Sequence, residues 1–130
     1  MAFESADFRY KHNVYPGRAG QGTANMQMAR FNLLYAKSLA GVEEKVADIS
    51  SVDGLPPDRL NYILSLVTPD EHNFGSGPWF LTTQCRGTVR DALQRNIDEG
   101  FAEYMACVGV SVTPERLAYL TRAKKAFGIA

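Results

Sequence analysis

The sequence predicts an all-α protein, with an extended N-terminal helical arm followed by a small C-terminal helical bundle. Two observations carry this reading. Apolar residues recur at helical spacing through most of the chain, and recognisable helix starts and stops separate those stretches. A third supports it: no run alternates apolar and polar residues as a half-buried strand does, and Val108 to Val112 (VGVSV) is the one short strand candidate.

Residues 1–22 read as extended or irregular, because Pro16-Gly17 and the glycines at 17, 20 and 22 interrupt any helix. The stretch GRAGQGT, from Gly17 to Thr23, has the glycines of a phosphate-cradling loop. It lacks the Gly-Lys-Ser/Thr ending and has no strand before it, so it reads as a hinge. Thr23 is the expected N-cap of a helix over 24–40, with Gly41 as its stop. A second helical stretch, about 42–49, holds Glu43, Glu44 and Asp48.

Ser50 to Pro57 (SSVDGLPP) is the clearest boundary, dividing an arm of residues 1–50 from a bundle of residues 51–130. Pro57 opens a helix through Val67, with Leu60, Ile63, Leu64 and Val67 on one face. Thr68-Pro-Asp-Glu71 reads as another helix start, and His72 to Pro78 as loop. From Trp79 the apolar positions step mostly by four, through Cys85, Val89, Leu93, Ile97, Phe101, Met105 and Val108. That is one long amphipathic helix or two broken near Gly87 or Gly100. Thr113, Pro114 and Glu115 open the last helix, Leu117, Leu120 and Phe127 line a face, and Gly128 ends it.

A chain of 130 residues is one domain's worth and can bury a core without a disulfide framework. No segment approaches the roughly 18 consecutive apolar residues that span a bilayer, and MAFESADF at the start lacks the apolar region of a secretory signal. An intracellular setting is the expectation. Cys85 and Cys107 are the two cysteines, with no CxxC spacing and no neighbouring histidine, so no zinc site is expected. They read as buried thiols, or as a disulfide if the helices carrying them touch.

Catalytic patterns are missing. The histidines are His12 and His72; His72, in PDEHN, reads as a solvated residue at a helix start. Glu99 and Glu103 lie four apart without an accompanying Glu-x-x-His pattern, so a carboxylate-bridged metal centre has no support. Arg86 beside Cys85 could lower a thiol pKa, but no histidine is near in sequence to act as its base. The expectation is a protein that is not an enzyme and uses no cofactor or metal.

Charge is distributed unevenly. The formal net charge is zero, yet Phe8 to Val42 contains no Asp or Glu while holding Arg9, Lys11, Arg18, Arg30 and Lys37. Phe8, Tyr10, Tyr15, Phe31 and Tyr35 lie among these cations, with Asn13, Gln21, Asn25, Gln27 and Asn32. Cations, amides and tyrosines are the groups that contact phosphate and sugar oxygens, and acids would repel a polyanion. The candidate nucleic-acid-binding residues are therefore Arg9, Lys11, Arg18, Gln27, Arg30 and Lys37.

A basic arm, a Pro/Gly boundary and a compact helical domain resemble the major capsid proteins of rod-shaped and filamentous archaeal DNA viruses. The pieces that look alike are Thr88 to Arg95 (TVRDALQR), Glu103 to Gly109 (EYMACVG) and the Thr113 to Leu117 helix start. The resemblance implies a structural virion protein that assembles helically and packages double-stranded DNA with its N-terminal arm. It implies pairing with itself and with a paralogous coat protein as a heterodimer, assembly in the host cytoplasm and residence in the virion. Arg9, Lys11, Arg18, Arg30 and Lys37 would then face phosphates, and Trp79, Leu93, Phe101 and Leu120 would be core or subunit contacts. The alternatives are a bacteriophage head or tail component, or a helical subunit of a large complex whose arm grips a neighbouring protein. A third is an enzyme using Cys85 or His72.

Overall fold

The computed structural model describes residues 1–14 and 17–129. Tyr15, Pro16 and Ala130 lie outside the described residues, and with them one of the interleaved aromatics and half of the Pro16-Gly17 turn signal. Among the described residues the chain is all-α. The helices are α1 (Ala29–Ser38), α2 (Pro57–Val67), α3 (Asp70–Asn73), α4 (Ser76–Gln84), α5 (Gly87–Arg95), α6 (Ile97–Cys107) and α7 (Pro114–Ala126). A 3-10 turn at Glu43–Val46 replaces the helix expected over 42–49. VGVSV forms no strand; the extended pairing present is two isolated bridges, His12 with Gly22 and Gly22 with Gln27.

The chain divides into two compact units, Met1–Gly77 and Pro78–Ala130. The division expected at 50/51 does not coincide with this one, because α1 and α2 pack on each other across it. The first unit buries Leu33, Tyr35 and Ala36 of α1, Val46 and Ile49 after it, and Ile63, Leu64 and Val67 of α2. Each fully buried branched side chain stabilises such a core by about 1.5–3 kcal/mol. Pro57 opens α2 where the sequence places it, since a helix's first residue has no need of its N–H.

Among the described residues of 1–28 the chain folds back on itself, the Asn13 N–H donating to the Gln21 carbonyl at 3.0 Å and the Thr23 N–H to the Lys11 carbonyl at 2.9 Å, in place of an extended arm. Thr23 has φ +65°, a left-handed conformation incompatible with capping a helix at residue 24, and α1 starts at Ala29. Gly20 also lies in the left-handed region (φ +76°). A Cβ there would press on Ala29 and Leu60, so glycine lets the segment approach α1 and α2 closely.

The second unit is built on the α5–α6 hairpin. The long periodic stretch after Trp79 forms three helices, with breaks at Cys85–Arg86 and at Asn96. Asn96 is extended, and its side chain accepts from the backbone N–H groups of Asp98 and Glu99, capping α6. Gly100 lies inside α6 and marks no break; a Cβ there would collide with the backbone of Leu93 on α5. Of the residues expected as core or subunit contact, Trp79, Leu93, Phe101 and Leu120 are all half-buried. Thr113 caps α7 by accepting from the Arg116 N–H, yet α7 buries none of its residues.

Two glycines of this hairpin therefore differ in tolerance. Gly100→Ala is expected to destabilise the second unit by about 1–3 kcal/mol through the forced separation of α5 and α6. Gly87→Ala, whose added methyl would meet only the end of the Arg90 side chain at 4.0 Å, is expected to be neutral or mildly stabilising. Thermal melts of both variants read this, and equal melting temperatures would contradict the close-packing account.

Candidate functional site

Several amides and hydroxyls in and around the N-terminal segment turn inward. Gln27 is 5% exposed, and its Nε2 donates to Asn32 Oδ1 at 2.8 Å. Asn32, fully buried on α1, donates from Nδ2 to the carbonyls of Gly20 (2.8 Å) and Gln27 (3.1 Å). Asn61 of α2 accepts from the Gly20 N–H at 2.9 Å, and Asn73 of α3 accepts from the Ala24 N–H at 2.8 Å. Ser76 Oγ lies 2.9 Å from Thr23 Oγ1 and 2.8 Å from the Asn73 carbonyl oxygen. These amides and hydroxyls supply the partners that the irregular backbone would otherwise lack.

Beside this network an open pocket of about 480 Å³ is lined by Glu4, Tyr10, His12, Asn13, Val14, Gln21 and Met26. Its wall is braced from within. Asn13 Nδ2 donates to Gln21 Oε1 at 2.7 Å, and Gln21 Nε2 donates to the Met26 carbonyl at 3.0 Å. The backbone close by is strained: Ala6, Asp7, Phe8 and Met26 all have positive φ. Ser5 holds the turn, its Oγ accepting from the Phe8 N–H at 2.8 Å and lying 2.9 Å from the Met1 carbonyl. The pocket offers a carboxylate, a phenol, an imidazole and a thioether, a set suited to a small molecule with both polar and apolar parts.

The residues expected to bind nucleic acid occupy different settings. Arg9 and Lys37 are exposed. Lys11 Nζ donates to the Thr68 carbonyl at 3.1 Å, and an Arg18 guanidinium nitrogen lies 3.4 Å from Met28 Sδ. The Arg30 guanidinium sits over the Phe31 ring, 4.5 Å from its centroid. Gln27 is enclosed in the amide network. The pocket residues Glu4, Tyr10, Asn13 and Met26 were not singled out as a site by sequence. No motif joins them; the left-handed backbone that brings them together is unusual for these residue types.

The residues considered for catalysis are also placed. Cys85 is joined to Cys107 in a disulfide, so it carries no free thiol. The reading as two buried thiols is corrected here: the end of α4 and the end of α6 do touch. His72 Nε2 lies 3.7 Å from Glu71, and the His72 carbonyl accepts from the Tyr35 hydroxyl at 2.6 Å. Among the described residues, no three His, Cys, Asp or Glu side chains gather as a metal site, and no helix is long and apolar enough to cross a membrane.

Burial raises the Tyr35 hydroxyl above its ordinary pKa of 10.0, and burial does the same to Tyr104 on α6. The folded chain therefore keeps protons that the unfolded chain releases near pH 10. That part of the stability is complete below pH 10 and is lost as pH rises through the higher folded values. Tyr35→Phe is expected to cost about 1 kcal/mol at neutral pH, the net value of one hydrogen bond, and to flatten the alkaline loss of stability. Urea titrations at neutral and alkaline pH check both, and an unchanged alkaline slope would contradict the assignment to Tyr35.

No family model matches the chain, and no solved structure matches it. It is similar to a bifunctional dioxygenase (DOX)-epoxy alcohol synthase (EAS) of Fusarium oxysporum (strain Fo5176), with 55% identity over 130 residues. The match takes in 99% of this chain and 10% of that protein, so the chain spans about a tenth of its relative's length. This overturns the resemblance to archaeal virus capsid proteins, and with it the structural virion function, the capsid and filament description and the virion location. It also overturns the expectation that the protein is not an enzyme, since more than half of its residues recur in a protein named for two enzymatic activities.

Proposed function

We propose that this chain is a helical scaffold segment of an oxygenase of the dioxygenase–epoxy alcohol synthase type. The observation that carries the reading is identity at 55% over nearly the whole chain. A match that continuous extends through both compact units, so both serve the same purpose in the two proteins. By the chemistry those two words name, such an enzyme adds O2 to an organic substrate and makes an epoxide with a hydroxyl group. The substrate would then be an unsaturated molecule, because an epoxide forms across what was a carbon–carbon double bond.

What the chain itself supplies is a braced framework: the buried amides of Asn32, Asn61 and Asn73 fix an irregular segment against three helices. Catalytic geometry depends on such support, since small misplacements far from the chemistry cost rate. The open pocket at Glu4, Tyr10 and His12 is one place in the first unit where a small molecule could lie.

A chimaera tests the reading. The matched region of the Fusarium enzyme is replaced by this chain, and both activities are measured alongside a folding check. Both are expected to stay within about tenfold of the parent, a difference of ~1.4 kcal/mol in barrier. A soluble, folded chimaera lacking both activities would show that the two segments do different work.

A further inference from the structure

Cys85 follows α4 directly, Cys107 is the last residue of α6, and the disulfide between them encloses all of α5 and almost all of α6. The second unit buries few residues: Phe80 on α4, then Val89, Ala92 and Gly100 inside the enclosed span, with none on α7. The ion pairs Arg95–Glu99 at 3.7 Å and Lys124–Asp98 at 3.0 Å involve exposed carboxylates. Pairs of that kind contribute little. A unit of this size buries too small a share of its surface to be robust without help. The covalent link therefore carries an unusually large part of its stability.

Both cysteines are half-buried, not sealed in a core, so a small thiol can approach the bond. Arg86, next to Cys85 in the chain, is exposed. We propose that Cys85–Cys107 is a thiol-sensitive latch, opened by a dithiol reductant and closed again by oxidation. In the opening step a reductant thiolate attacks one cysteine sulfur, the S–S bond breaks, and a mixed disulfide forms. The other cysteine leaves as a thiolate and takes a proton from water. The reductant's second thiolate then attacks the mixed disulfide, releasing the remaining cysteine and closing its own disulfide. Two electrons pass from the dithiol to the protein, which ends with two thiols. The end of α4 is then untied from the end of α6.

Trp79, the sole tryptophan, lies in the second unit, so its fluorescence reports on that unit in the full chain. Without reductant, alkylation and mass spectrometry are expected to find both cysteines blocked. Dithiothreitol under native conditions is expected to free both and to lower the Trp79 melting transition by about 10–25 °C, the size implied by releasing a loop of this length. The Cys85→Ser/Cys107→Ser double variant is expected to melt with the reduced protein and to ignore dithiothreitol. Should that variant fail to fold, the wild-type melt with and without reductant still decides. Cysteines that alkylate without reductant, a bond that resists dithiothreitol until the chain is unfolded, or a Trp79 transition unmoved by reduction would each overturn the latch.

Discussion

Every part of the first unit depends on one constraint: residues 20–28 run without helix through its interior, and their backbone groups must find partners there. An unpaired buried N–H or C=O costs about 1–3 kcal/mol, so several left open would exceed a small unit's margin. Asn32, Asn61 and Asn73 meet this need, each from a different helix. The same amides fix how closely the segment lies against α1, α2 and α3. The braced wall of the pocket and the late start of α1 follow from that placement.

The second unit answers a different problem, since few of its residues are fully buried. Asn96 caps α6, Gly100 lets α5 and α6 approach, and the disulfide ties the ends of α4 and α6. Local devices and one covalent bond stand in for a large core, as the physics of small units requires.

Where a helix start rests on local chemistry, the sequence is a good guide. Pro57 and the Thr113-Pro114 pair open α2 and α7 at the expected places, because a cap and a first-turn proline act within four residues. Thr23 misleads for a tertiary reason: its hydroxyl is drawn to Ser76, 53 residues away, and its backbone turns left-handed. Within the acid-free stretch, Gln27 and Asn32 are committed to each other and to buried carbonyls, which no local pattern announces. The pairing of Cys85 with Cys107 needs the fold of the α5–α6 hairpin, which spacing alone does not reveal. The likeness to the Fusarium protein was illegible for another reason: the sequence carries no catalytic motif that points to it.

The central claim is that the N-terminal segment is a folded, internally satisfied part of the first unit. Amide hydrogen exchange on the full chain tests it most directly, at Gly20 and Ala24, whose N–H groups donate to Asn61 and Asn73. Protection at these two amides comparable to that within α2 is the predicted result. Exchange at the rate of an unstructured chain, with α2 protected, would contradict the account.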